Sequence, residues 1–420
     1  MDMKNLVAVL AGFVLFGFAI PPSKQPGPPR VFAHYMPWFR AEKSDSGMVW
    51  DHWQWYGKGK KHDPDTVLEN GHRDIASVYY PLIGPYDGRD PAVLEYHMLT
   101  AKAAGIDGFI ADWYGPDGYT DTVFTEMVKA AERYGMKVAI CLEEKTFFNG
   151  AKVRGDGLDT MERQIRYVLD HHARSPAYLR VNGAPVFLIF DSYGSGALGP
   201  SNLSPQEFRD VQSRFTNQIL LARGHYEEPY LGAVDAFYGW CGDAQYRRDF
   251  YEKAKAAHET HQLKSVIGGA SPGFDDSGVN GWGNGARFTD RRGTKEYEES
   301  WADILKYRPE AVQIVTWNDF QEGTTIEPSE QYGFSFLDLT EQFVQQFTGR
   351  EANLGDNTWP FHVYRLRQQV AAIADAAVRT EWTGKLDKFS EDFSNGKRFM
   401  MSWRLKRLES GVRDAAGGTS

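Results

Sequence analysis

From residue 31 to residue 316, short apolar runs alternate with stretches of helical periodicity. The runs occupy residues 31–36, 75–80, 106–111, 137–142, 185–190, 231–237, 264–268 and 311–316. They are rich in Val, Ile and Phe, as parallel strands covered on both faces should be. Between the third and fourth runs, Val123, Met127, Ala130, Ala131 and Tyr134 recur at helical spacing, and Gly135 follows them. Gly105 stands in the same place before the third run. A glycine just past a helix end supplies a left-handed cap before the chain turns into a strand. Eight such strand–helix units predict an α/β fold, a (β/α)8 TIM barrel over residues 31–350. A doubly wound open sheet is the alternative.

Two stretches, 40–73 and 268–293, are loops by composition. Loops of that length in a compact domain usually carry function, and on a barrel both would follow a strand, on the face where active sites occur. A last barrel helix is expected near 337–347. Beyond it, Val363, Leu366, Val370 and Ile373 mark one face of a helix over 359–382. Residues 351–420 therefore read as a C-terminal helical extension and tail.

Lys4 precedes an uncharged apolar stretch, 6–20, and a Pro-rich break, 21–30. The stretch is short for a membrane span of about 20 residues. It fits a secretory signal cleaved after Ala19, with an uncleaved anchor as the other form. Either form predicts a secreted, periplasmic or cell-surface protein with no other membrane segment.

Net charge changes the picture by exclusion. At −9, with 47 Lys and Arg against 56 Asp and Glu in 420 residues, the chain lacks the basic surface of a nucleic-acid binder. The 12 Trp and 21 Tyr suit a groove that stacks on sugar rings, though a large core also consumes aromatics. Cys141 and Cys241 are the only cysteines and read as unpaired thiols. No His or Cys spacing marks a metal centre and no Gly-rich turn marks a nucleotide, so neither metal nor cofactor is expected. Subunit number carries no sequence signal.

The chemistry is expected where the strands end, because barrel enzymes draw catalytic residues from that rim. The first run leads to Tyr35 and Trp38, and the second to Tyr79 and Tyr80. The third ends in Asp112, Trp113 and Tyr114, the fourth in Glu143 and Glu144, and the fifth in Asp191. The sixth leads to Tyr238 and Trp240. The eighth runs into Trp317, Asn318 and Asp319, then Glu322, Gly323 and Glu327. Aromatic faces stack on sugars and carboxylates bind their hydroxyls, so this rim reads as a carbohydrate cleft. Asp319 and Glu322 are three apart, which on a helical turn puts Cβ atoms about 5–6 Å from one another. Hydrolysing a glycosidic bond needs such a pair, one acid and one base or nucleophile. Other residues have plainer roles. His34 reads as a core histidine, and Trp53 and Trp55 as braces of their own loop. Trp282 and Arg287 line a distal subsite or simply pack. Adjacent residues on a strand face opposite ways, so only one of Tyr79 and Tyr80, and one of Glu143 and Glu144, can reach the cleft.

Three patches resemble glycoside hydrolase family 99: Tyr35 to Phe39 (YMPWF), Ala111 to Gly115 (ADWYG) and Trp317 to Pro328 (WNDFQEGTTIEP). Those enzymes are endo-α-mannosidases and share ancestry with family 71, the endo-α-1,3-glucanases. Family 99 has Glu at the first acidic position and commonly His before the second, where this chain has Asp319 and Gln321. Asp at the first position resembles family 71. By that resemblance Glu322 is the general acid and Asp319 the base, in an endo-acting hydrolase of α-mannan or α-glucan. Family 99 retains anomeric configuration by directing the base at the sugar's own 2-hydroxyl, whereas family 71 inverts. Asp is one C–C bond shorter than Glu, about 1.5 Å, which widens the carboxyl gap and favours inversion. A carbohydrate-binding barrel without catalysis and a cell-surface glycan transferase are the other readings.

Overall fold

The computed structural model describes residues 30–148, 155–191, 203–350, 356–397 and 399–417. The N-terminal apolar stretch and most of the Pro-rich break lie outside them. Among the described residues, eight parallel strands form one closed barrel: β1 (Arg30–Tyr35), β2 (Gly108–Trp113), β3 (Lys137–Glu143), β4 (Ala184–Phe190), β5 (Leu220–Gly224), β6 (Ala236–Tyr238), β7 (Ser265–Ala270) and β8 (Ala311–Ile314). Each pairs with its sequence neighbours, β8 with β1 included, so no edge is left open.

Helices α1 (Pro91–Ala103), α2 (Tyr119–Tyr134), α3 (Glu144–Phe147), α4 (Gly155–His171), α5 (Pro205–Arg214), α6 (Ala244–Glu259), α7 (Lys295–Tyr307) and α8 (Ser335–Thr348) follow in chain order. The caps are local sequence effects. Asp90 accepts from Ala92 N with Pro91 in the first turn, Ser204 and Glu207 form a capping box on α5, and Gly135 ends α2 at φ 64°.

Two strand assignments change. Residues 75–80 are loop; Ile75 is buried because it packs under Trp38, Phe39, Trp50 and Trp53. The strand overlooked is β5, only 11 residues before β6 and joined to it through a single 3₁₀ turn, Glu228–Tyr230, in place of a helix. Without a helical stretch to separate them, the two short strands lack the alternation that marks the other units.

Strand parity sorts the core. Phe32, Ile110, Ala139, Cys141, Leu188, Ala222, Ala236, Tyr238 and Ile267 fill the barrel interior. One residue along, Val31, Ala33, Tyr35, Phe109, Trp113, Ile140 and Leu142 face outward into the layer shared with the helices. The extension beyond residue 356 is three helices. The stretch predicted as one helix breaks after α9 (Trp359–Ala371), and Asp375 caps α10 (Ala376–Ser394) by accepting from Ala377 N and Val378 N. The tail forms α11 (Met401–Gly417). α9 docks on α1, where Arg367 forks onto the Glu95 carboxylate at 2.7 and 2.8 Å. No helix among the described residues is long and apolar enough to cross a membrane.

Candidate active site

Three loops meet at the C-terminal mouth of the barrel: 36–90 after β1, 271–294 after β7 and 315–334 after β8. The β8 loop turns tightly over the acid pair. Asp319 Oδ1 accepts from Glu322 N at 2.9 Å, an aspartate side chain satisfying the backbone three residues on. Gly323 adopts φ +58°, and a Cβ there would lie 2.7 Å from the Asp275 carbonyl oxygen, so glycine is required for the two loops to touch. The Asp275 N–H donates to Glu322 O at 2.8 Å across the same contact.

Asp319 is 1% exposed, whereas the Glu322 side chain keeps 23% exposure. Glu322 Oε1 accepts from Trp282 Nε1 at 3.0 Å and faces Arg287 Nη2 at 3.5 Å. Burial first, and then the Glu322 charge, hold the Asp319 carboxyl well above the usual carboxylate range. Glu322 is raised by burial too, against the pull of Trp282 and Arg287. The Tyr114 hydroxyl is raised by burial and by the charges of Asp112, Glu143, Asp319 and Glu322, which places it among all four acids. Glu143 Oε2 pairs with Lys145 Nζ at 3.1 Å.

Beside the pair lies a cleft of about 480 Å³ walled by Trp38, His52, Trp55, Tyr114, Tyr119, Trp282 and Gln321. His52 stacks on Trp38 with ring centroids 4.7 Å apart and donates from Nδ1 to Gln321 Oε1 at 2.7 Å. Burial lowers the His52 pKa to about 4, leaving a neutral ring. Trp55 meets Trp282 edge-on at 5.9 Å. A smaller hollow of about 220 Å³ is lined by Cys241, Phe274, Arg287 and Phe288.

Of the residues expected at the cleft, Trp38 and Tyr114 line it, Glu322 meets its wall at Trp282, and the charges of Asp112, Glu143, Asp319 and Glu322 act on the Tyr114 hydroxyl. Trp240 is part of the floor, edge-on to His34 at 4.8 Å. The others go elsewhere. Tyr35 faces outward and its hydroxyl is hydrogen-bonded to His97 Nδ1 at 3.0 Å. Trp113 is fully buried between β2 and the helices and donates to Asp121 Oδ1 at 3.0 Å. Trp317, expected to be a stacking surface, is fully buried against Phe109 and His97. Asn318 clamps the end of β1, accepting from Met36 N at 2.7 Å and donating to Met36 O at 3.0 Å. Glu327 accepts from the Tyr86 hydroxyl at 2.8 Å inside the wall. Tyr238 is buried in the barrel floor and donates to Ile189 O at 2.9 Å. Tyr80 stacks on His72 in its own loop at 4.0 Å. Glu144 and Asp191 turn to buried Arg223, whose Nη1 lies 3.1 Å from Asp191 Oδ2 and Nη2 3.9 Å from Glu144 Oε2.

The sequence reading missed His52 and Gln321 as cleft residues, and set Trp282 and Arg287 at a distance. Long loops are the only sequence signal for the first and the last two.

The model of glycosyl hydrolase family 99 matches residues 29–347. The chain belongs to that family. Similar proteins include the mouse glycoprotein endo-alpha-1,2-mannosidase-like protein, 26% identical over 360 residues, covering 76% of this chain and 74% of that one. The rat glycoprotein endo-alpha-1,2-mannosidase is 26% identical over 328 residues, covering 71% and 67%. Among solved structures, the family 99 endo-alpha-mannosidase from Bacteroides thetaiotaomicron matches at TM-score 0.62 and 22% identity, covering 78% of this chain and 99% of that one. This fold and family make the chain a glycoside hydrolase with a glycan substrate.

Proposed function

We propose that the enzyme cleaves α-mannosidic bonds within mannan-like glycans, with Glu322 as general acid and Asp319 as general base. The observation that carries this reading is the pairing of the two carboxyls in one turn, one sealed and one open to an aromatic cleft. Burial and mutual repulsion raise both carboxyls, Asp319 the more, so the pair keeps a proton, which has to sit on Glu322, the carboxyl open to solvent, when substrate is bound. Trp282 and Arg287 stabilise the Glu322 carboxylate that remains once its proton has passed to the leaving oxygen. Trp38, Trp55 and Trp282 offer faces and edges for sugar rings, and Glu143 and Tyr114 offer partners for hydroxyls. Glu322 contacts Trp282 of the large cleft and Arg287 of the smaller hollow, and two hollows beside one acid suit a chain that continues past the scissile bond, hence endo action. The names of the mouse and rat relatives favour mannose over glucose.

The stereochemical outcome we propose is inversion. Asp319 is the shorter acid, and its Oδ1 is held back on the Glu322 N–H at 2.9 Å. Both features favour the wider gap of an inverting site, which places a water between carboxyls roughly 6.5–9.5 Å apart. Digestion of α-mannan and α-1,3-glucan, followed by proton NMR of the first-formed anomer, tests all three parts. Release of β-configured mannan fragments is expected. α-Configured product excludes inversion, turnover of glucan alone excludes mannan, and binding without turnover of either excludes a hydrolytic role for the pair. Export through the N-terminal apolar stretch is part of the same proposal, and cell fractionation checks it.

A further inference from the structure

The barrel interior just inside the mouth holds a polar cluster to which the proposed acid and base do not belong. His34 on β1, Asp112 on β2 and Cys141 on β3 face inward from three adjacent strands, and Asp112 and Cys141 stand opposite one another in register. One donor atom from each lies within 4.8 Å of the other two, and all three residues are buried. Phe32, Ile110, Ala139 and Leu188 of the same interior layer lie around them, with Gln313, Tyr238 and Glu143 as polar neighbours. Polar groups in such a place are costly unless partnered, and Asp112 Oδ1 has no hydrogen-bond partner. We propose that His34, Asp112 and Cys141 bind one divalent transition-metal ion of the zinc class.

The donor set, one imidazole, one thiolate and one carboxylate, is that of a borderline-soft cation rather than magnesium or calcium. The imidazole is already oriented. Its Nδ1 donates to Gln313 Oε1 at 3.2 Å, which leaves the Nε2 lone pair as the ligand, the arrangement that second-shell partners impose on metal-binding histidines. The thiol is contacted by the Tyr238 hydroxyl at 3.7 Å. Lys145, the nearby cation, pairs with Glu143 at 3.1 Å, and Glu143 in turn shares a hydrogen bond with Asp112, so metal binding takes Asp112 from that contact while its Oδ1 has no other partner. Tetrahedral zinc, with bonds of about 2.0–2.3 Å, holds its donors roughly 3.3–3.8 Å apart. Closing the site therefore asks for a contraction of about an ångström, within reach of side-chain rotation. The fourth position is left for water or Glu143. This assignment reverses the sequence expectation of no metal, because residues 34, 112 and 141 share no spacing that could announce a site. It is independent of which glycan the enzyme cleaves.

The test is bound metal, not turnover. Protein expressed with added zinc and purified without chelator is analysed by elemental mass spectrometry, and a cobalt(II)-loaded sample is read by absorbance. We expect one equivalent of zinc per chain and a thiolate-to-cobalt charge-transfer band. Both should vanish in Cys141→Ser and in His34→Ala and persist in Cys241→Ser. A wild-type protein with less than about one-tenth of an equivalent and no thiolate band overturns the proposal. So does a band that survives Cys141→Ser. Should the interior variants fail to fold, Cys241→Ser still decides, since the chain has only 2 cysteines. A band lost in Cys241→Ser assigns the metal to the wrong thiol and ends the idea.

Discussion

The inner and outer faces of β1, β2 and β3 carry His34, Asp112, Cys141 and Glu143 on one side and Tyr35, Trp113 and Leu142 on the other. Neighbours in sequence, these residues lie in different environments. Inward, the groups are charged or nucleophilic, gathered near the acid pair and short of countercharge. Outward, Tyr35 and Trp113 give every polar atom a partner (His97 and Asp121) and seal the strand–helix layer. A rim residue's type therefore says little about its role; its parity on the strand says much more.

The sharpest challenge to that division is the acid pair itself. Asp319→Asn and Glu322→Gln should each cut kcat on α-mannan by roughly 10²–10⁴-fold with no loss of Tm, as removal of a general base or acid does. Near-full turnover in either variant would dissolve the distinction between the working face and the packing face.

On the outer face, Trp113→Ala should cost about 3–5 kcal/mol in denaturant unfolding, a buried indole truncated to a methyl. The surviving folded fraction should bind glycan normally by calorimetry. Trp38→Ala should show the converse, with weaker binding and a smaller loss of stability. Exchange of those two phenotypes would place Trp113 in the cleft.

Trp282→Phe removes the N–H that Glu322 Oε1 accepts at 3.0 Å. Without it the Glu322 carboxylate is less stabilised, so the alkaline limb of the kcat/KM profile should move to higher pH. A rate loss of about tenfold, the scale of one hydrogen bond to a charged group, should accompany the move. An unmoved limb would detach Trp282 from the acid.

The smallest effect is on stability. Burial holds the Asp319 carboxyl well above its ordinary value, so the protonated form favours the fold. That contribution is complete below the unfolded value of about 3.9 and is lost as pH rises towards the folded one. Asp319→Asn cannot ionise and keeps the oxygen that accepts the Glu322 N–H. Its Tm should match wild type near pH 4 and exceed it increasingly as pH rises. A gap that narrows with pH would have the sign wrong.

Much of this is legible in the sequence. The alternation of apolar runs announced the barrel, although the run at 75–80 owes its apolarity to an aromatic loop and β5 hid for want of a helix after it. The motif around Asp319, Glu322 and Gly323 was visible as a motif. Trp317, Asn318 and Glu327, in the same motif, turned out to be wall: Asn318 is spent on the Met36 backbone and Glu327 on Tyr86. Sequence spacing cannot separate a residue that holds a loop from one that faces the cleft, because both need fixed types at fixed positions.

The chain's own order determined what is periodic or local: strands and helices, caps at Asp90, Ser204 and Gly135, and a tight turn closing on Gly323. Folding decided everything that depends on distance. It brought His52 to Gln321 across 269 positions and Trp282 to Glu322 across 40. It also turned His34, Asp112 and Cys141 towards one point. Periodicity is written in neighbouring residues, but which of two strand faces looks into the barrel, and which loops meet above it, is fixed only when the sheet closes.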